Sequence, residues 1–146
     1  MTKKAKNLKI KVLFNASVVL SGLRSPNGGS GKLLQLIDQG RIDGQISEII
    51  LDEILRHYKK LGISKKVVEN SVHGLFHDVL NAPNDKIVST YKKVVIDDGD
   101  CHVLASCFES KIKYLVTLDK KHLLVLKGKI KDLKIYTPGE LLEKLF

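Results

Sequence analysis

Two stretches decide how this chain is read: "VVIDDGDCHVLASC", Val94 to Cys107, and "KYLVTLD", Lys113 to Asp119. In the first, an apolar run meets three aspartates, Asp97, Asp98 and Asp100, broken only by Gly99. Helical spacing follows at once, because Asp100, Val103, Leu104 and Cys107 recur at steps of three and four. In the second, an apolar run again ends on an acid, Asp119. Strand, helix and strand with acids at the strand ends predict a parallel α/β sheet, in which functional groups gather at the carboxyl ends of the strands.

Working outward, "LKIKVLF" (Leu8–Phe14) reads as a buried strand, "DGQIS" (Asp43–Ser47) as a short one, "KKVVI" (Lys92–Ile96) as a third and "LKIYT" (Leu133–Thr137) as the last. Between them, Ser30 is read as the cap of a helix that runs through Leu33, Leu34 and Ile37 to Gly40. Ser47 caps a second helix, from Glu48 to about Leu61. A third begins at Ser64 and carries Val68, Val72, Leu75, Phe76 and Val79. A fourth runs from Gly99 to about Ser110. Pro138 suits the first turn of a final helix to Phe146. No repeat or long linker divides the 146 residues, so a single domain over 1–146 is expected.

Hydrophobic residues make up 43% of the chain, enough for a real core. No apolar stretch approaches the roughly 18 residues of a membrane span. The basic start, "MTKKAKNLKIKVLF", reads as a leader into the first strand and not as a secretory signal. Cys101 and Cys107 lie six apart on one predicted helix and are poor disulfide partners, which points to a reduced, cytoplasmic protein. The formal charge is +9, with lysines scattered in pairs and no aromatic–basic cluster in the linear sequence. A solvated surface and a polyanion partner both fit that balance.

The chemistry rests on acids that the sheet could bring together. Asp100 shares the apolar face of its helix, and an inward carboxylate is costly unless a helix start or a cation offsets it. Asp119 ends the neighbouring strand. On the second helix Glu53 lies at the edge of the apolar stripe, whereas Asp52 faces away. Carboxylates meeting at one sheet end suit Mg²⁺ or Mn²⁺, which prefer hard oxygen ligands and can activate water. The competing view makes Asp97 or Asp98 an N-cap and the rest ordinary surface acids.

Taken in order, "VLFNASVVLSGLRSPNG", "ISEIILDEIL", "DDGDCHVLASC", "KYLVTLDKKHL" and "KIYTPGELL" resemble a PIN domain, and more narrowly the VapC-like toxin subgroup of type II toxin–antitoxin pairs. The resemblance covers nearly the whole chain. It implies an α/β fold, a three-layer α/β/α sandwich with a short parallel sheet. It also implies divalent-metal-dependent hydrolysis of RNA phosphodiesters, an antitoxin protein partner and a homodimer. On the family's pattern Glu53, Asp100 and Asp119 are the catalytic, metal-holding acids, with Asp97, Asp98 and Thr117 accessory. The first acid of that pattern, at the end of the first strand, is replaced here by Asn15, and the usual Asn two residues on by Ser17. An amide oxygen can ligate a cation but carries no charge. The expectation is therefore a weakened nuclease or, alternatively, a silent relative that binds RNA or an antitoxin without cutting.

Three other signals carry less. "GGSGKLL" (Gly28–Leu34) fails the phosphate-loop pattern at Pro26 and Leu33, and is read as an exposed loop at the mouth of the site with Arg24 and Lys32 available for RNA phosphate. His73 and His77 are read as surface histidines, because Gly74 stands where a zinc motif wants glutamate. His102 is read as packed or solvent-facing. A receiver-like signalling domain also collects acids at strand ends, but it needs an acidic pair after the first strand, and "FNAS" has none.

Overall fold

The structure is a computed structural model that describes residues 9–94 and 98–146. Strand β1 (Lys11–Phe14) buries Val12, Leu13 and Phe14 completely. A central parallel strand is covered on both faces, so it reads as an unbroken apolar run. β1 pairs with β2 (Asp43–Gln45) on one side and β3 (Tyr114–Val116) on the other, and β4 (Lys134–Tyr136) follows β3. Every described pairing is parallel, giving the order β2-β1-β3-β4. The register sets Leu13 against Gln45 and against Leu115.

The helices are α1 (Ala16–Arg24), α2 (Gly29–Asp38), α3 (Glu48–Arg56), α4 (Lys65–Leu75), α5 (Asp85–Thr90), α6 (Cys101–Glu109) and α7 (Pro138–Leu145). The caps read at Ser47 and Ser64 are present, each hydroxyl accepting a backbone N–H at 3.2 Å. Pro138 opens α7, whose start is closed by a reciprocal pair of bonds between Thr137 and Glu140. A Lys127 ion pair and the Thr137 bond hold the Glu140 carboxyl below the usual range.

Several expectations are corrected. Helix α1 was not anticipated, and its Val18 and Val19 carry a β-branched preference against helix. Helix α2 is capped at Gly28, and Ser30 is buried inside it. The second helix ends at Arg56 and continues only as a 3₁₀ turn, Tyr58–Leu61, closed by Gly62 at φ 70°. The third ends at Leu75, so Val79 lies beyond it. Residues 92–94 form a turn after α5 and no strand, while residues 95–97 fall outside the described set.

Helices α1, α2, α3 and α7 form a connected packing group, and α5 packs on α6. Phe14 meets Phe76 edge-on at 5.7 Å, tying the central strand to the end of α4. The α1–α2 turn is closed so tightly that a Cβ on Gly31 would stand 2.2 Å from the Pro26 carbonyl oxygen. Gly31→Ala must open that turn and is expected to cost roughly 1–3 kcal/mol in urea denaturation. Gly74→Ala, with nothing within 4 Å of the new carbon, is expected to stabilise by up to about 1 kcal/mol. Burial pushes the Cys107 thiol up to about 12. It should resist thiol reagents at pH 8 until the chain unfolds, and stability should fall as pH rises above the ordinary value of 9.0 toward about 12.

Candidate functional site

The strand order fixes where a site can form. From β1 the chain crosses to β2 on one side, and β3 lies on the other side of β1. Chains leaving the carboxyl ends of β1 and β3 therefore diverge and leave a crevice between them. Asn15 is the first residue after β1. Its N–H extends the ladder by donating to the Val116 carbonyl at 3.1 Å.

A buried hydrogen-bond network lines the floor. Asn15 Oδ1 accepts from Ser17 Oγ at 2.9 Å and from Thr117 Oγ1 at 3.0 Å. Each hydroxyl accepts in turn from backbone: Ser17 from the Leu118 N–H at 3.3 Å, Thr117 from the Asp119 N–H at 3.1 Å. With their lone pairs committed to those amides, both hydroxyls donate to Asn15, and this sets the amide oxygen toward them. Asn15 is 7% exposed and Thr117 fully buried.

Above this floor two of the predicted acids converge. Asp119 Oδ1 accepts the His122 N–H at 2.9 Å, and Asp119 Oδ2 lies 3.2 Å from His122 Nδ1. Asp100 Oδ2 lies 3.6 Å from the same nitrogen. One ligand atom from each of Asp100, Asp119 and His122 falls within 4.8 Å of the others, close enough to share one cation. Glu53 lies outside that group. Its Oε1 is 3.3 Å from His102 Nε2, and the imidazole is almost wholly buried. His102 is thus a packed residue, as expected, and it steadies Glu53 from a position two residues beyond Asp100.

The remaining expected residues separate. Ser17 and Thr117 belong to the floor. Asp98 begins the 3₁₀ turn Asp98–Asp100 that leads into α6, and Asp97 lies outside the described residues. Arg24 ends α1, nine residues of helix and so about 13 Å from the start beside Asn15. Lys32 lines a groove between α2 and α7 with Leu142 and Phe146. Among the described residues neither cation forms an ion pair with these acids. His122 was missed by sequence reasoning, although its place three residues after Asp119 is the spacing of one helical turn.

Comparison with known proteins identifies the family and supports the fold. The model of the PIN domain family matches residues 11–121, and the chain belongs to that family. It is 31% identical to the uncharacterized protein MJ1680 of Methanocaldococcus jannaschii, over 97% of this chain and 95% of the relative. Its fold is similar to that in the crystal structure of VapBC2 from Rickettsia felis bound to a DNA fragment from their promoter. That match has a TM-score of 0.61 and 13% identity, covering 86% of this chain and 97% of the other.

Thr117→Val removes one donor to Asn15 and the only acceptor that the described residues give the Asp119 N–H. The expected loss is roughly 1–3 kcal/mol, measured by thermal or urea unfolding.

Proposed function

We propose that this chain is a single-domain, divalent-metal-dependent endoribonuclease, the toxin of a toxin–antitoxin pair. The observation that carries the reading is the convergence of the Asp100 and Asp119 carboxylates beside His122 in the β1–β3 crevice. Family membership supports nuclease chemistry. The donor set fits the ion: two carboxylates offer hard oxygen to Mg²⁺ or Mn²⁺, and an imidazole is compatible with Mn²⁺.

In this reading Asp100, Asp119 and His122 hold the cation, with the Asn15 amide below them as a neutral donor. A bound dication supplies Lewis acidity for water and for the charge that builds on the scissile phosphate. The His122 N–H orients the Asp119 carboxylate, and the Thr117 hydroxyl fixes the Asp119 backbone. Glu53, partly exposed and held by His102, is assigned the proton-accepting role toward water. The partners are RNA and an antitoxin protein, the chain acts as a homodimer, and its place is the cytoplasm. The Rickettsia felis complex supports the antitoxin partner by fold. Among the described residues no helix is long and apolar enough to cross a membrane.

One observation favours the silent alternative. The Asn15 oxygen already accepts two hydroxyl protons and adds no charge, so the site lacks one negative ligand of the family pattern. The test is cleavage of a fluorescent single-stranded RNA with Mn²⁺ or Mg²⁺, comparing this chain with Asn15→Asp and Asp119→Asn. Slow, EDTA-sensitive cleavage is expected. Asp119→Asn should reduce it at least about 100-fold, and Asn15→Asp should raise it roughly tenfold, the effect of one added charge at close range. Cleavage by Asn15→Asp alone would identify the present chain as a silent PIN domain.

A further inference from the structure

The lysines that look scattered in the sequence are not scattered in space. A groove of about 690 Å³ lies along α6 and the start of β3, and its rim carries Lys111, Lys113, Lys129 and Lys131. Next to it, a second depression shares Lys113, Asp132 and Leu133 with the first and adds Lys134 on β4. All five lysines are exposed and, among the described residues, none forms an ion pair. Among the described residues Asp132 is the one acid lining either depression.

Aromatic rings stand within the same surface. Phe108 is 65% exposed in the first depression. Tyr114 and Tyr136, in the second, stack on each other at 6.2 Å with an interplanar angle of 15°. The parallel register creates this pair: Tyr114 faces Lys134 and Val116 faces Tyr136, so the two tyrosines are diagonal neighbours on one face. An aromatic–basic cluster absent from the linear sequence is thus assembled by the sheet. The backbone adds a second sign. Lys111 (φ 55°) and Asp132 (φ 58°) are the two described non-glycine residues in the left-handed region, and both line this groove. Such a conformation costs a lysine free energy that glycine would avoid.

We infer that this surface is a binding track for single-stranded RNA, separate from the acidic crevice. Unpaired lysines along a groove follow a phosphate backbone, and the exposed Phe108 ring, with the partly exposed edges of Tyr114 and Tyr136, accepts stacked bases without regard to sequence. An acidic peptide would answer the lysines but has no use for the rings. Lys113 lies four residues of extended chain from Thr117 on the crevice floor, about 13 Å along β3. The depression along β4 runs from Lys134 to Tyr136, whose carbonyl accepts the Thr117 N–H, so a strand of several nucleotides lying in it heads toward the crevice end of the sheet. The inference rests on RNA being the substrate, and it adds where the strand lies away from the scissile bond.

The test is fluorescence anisotropy of a labelled 12-nucleotide RNA on the full chain in EDTA, so that no cleavage enters. The triple variant Lys113→Glu/Lys129→Glu/Lys131→Glu is compared with a control of equal charge change, Lys60→Glu/Lys65→Glu/Lys66→Glu, at three exposed positions on α4 and the turn before it. The triple variant should bind at least about tenfold more weakly, with the slope of log K against log salt lowered by about 2. The control should stay within about threefold, and Phe108→Ala should weaken binding without changing the salt slope. Equal losses in the triple and control variants overturn the inference, as does wild-type affinity in the triple variant. So does binding of a poly-glutamate peptide at this surface in place of RNA. If the wild type cleaves RNA while the triple variant binds and cleaves normally, the track is wrong and the nuclease reading stands. If the wild type binds through these lysines and never cleaves, the track stands and the nuclease reading fails.

Discussion

The parallel pairing of β1 with β3 is the constraint on which the rest depends. It places two strand ends side by side at the point where the chain diverges to opposite sides of the sheet. The ladder runs one residue past the strand, through the Asn15 N–H, so the Asn15 side chain is delivered to Thr117. Thr117 in turn holds the backbone of Asp119. The crevice is thus not a loop arrangement that happened to gather polar groups. Its floor is the edge of the core, and its groups inherit the rigidity of fully buried Leu13, Leu115 and Val116.

Electrostatically the site is moderate. Asp100 and Asp119 would repel each other if left alone, yet His122 Nδ1 lies between them at 3.6 and 3.2 Å. The neutral amide at position 15 removes what would be a further negative charge beneath them. Glu53 and His102 form a second, smaller pairing nearby. The buried His102 Nδ1 and Ser106 Oγ have no partner among the described residues. One turn apart on α6, they give this helix an interior less uniformly apolar than its sequence suggests.

Much of this was legible beforehand. An apolar run ending in an acid marked β3, and serine before an amphipathic run marked α3 and α4, whereas the same pattern at Lys92–Ile96 is a turn over its described residues. What escaped has physical causes. Helix α1 was given no element from the sequence, and its Val18 and Val19 carry a β-branched preference against helix that tertiary packing overrode. Helix α5 is six residues long, too short for a periodic signal. The Tyr114–Tyr136 pair could not be read, because it forms only when register and strand order are known, and His122 meets Asp100 only once the two segments are brought together.

The bond from Thr117 to Asn15 joins residues 102 apart in sequence. A contact of that separation closes a long loop, and its entropic cost is met only when the intervening chain has already been ordered by nearer contacts. During synthesis, a nascent chain presents the Asn15 end of the crevice long before Thr117, Asp119 or His122 exist. The crevice therefore assembles late, after most of the chain has emerged.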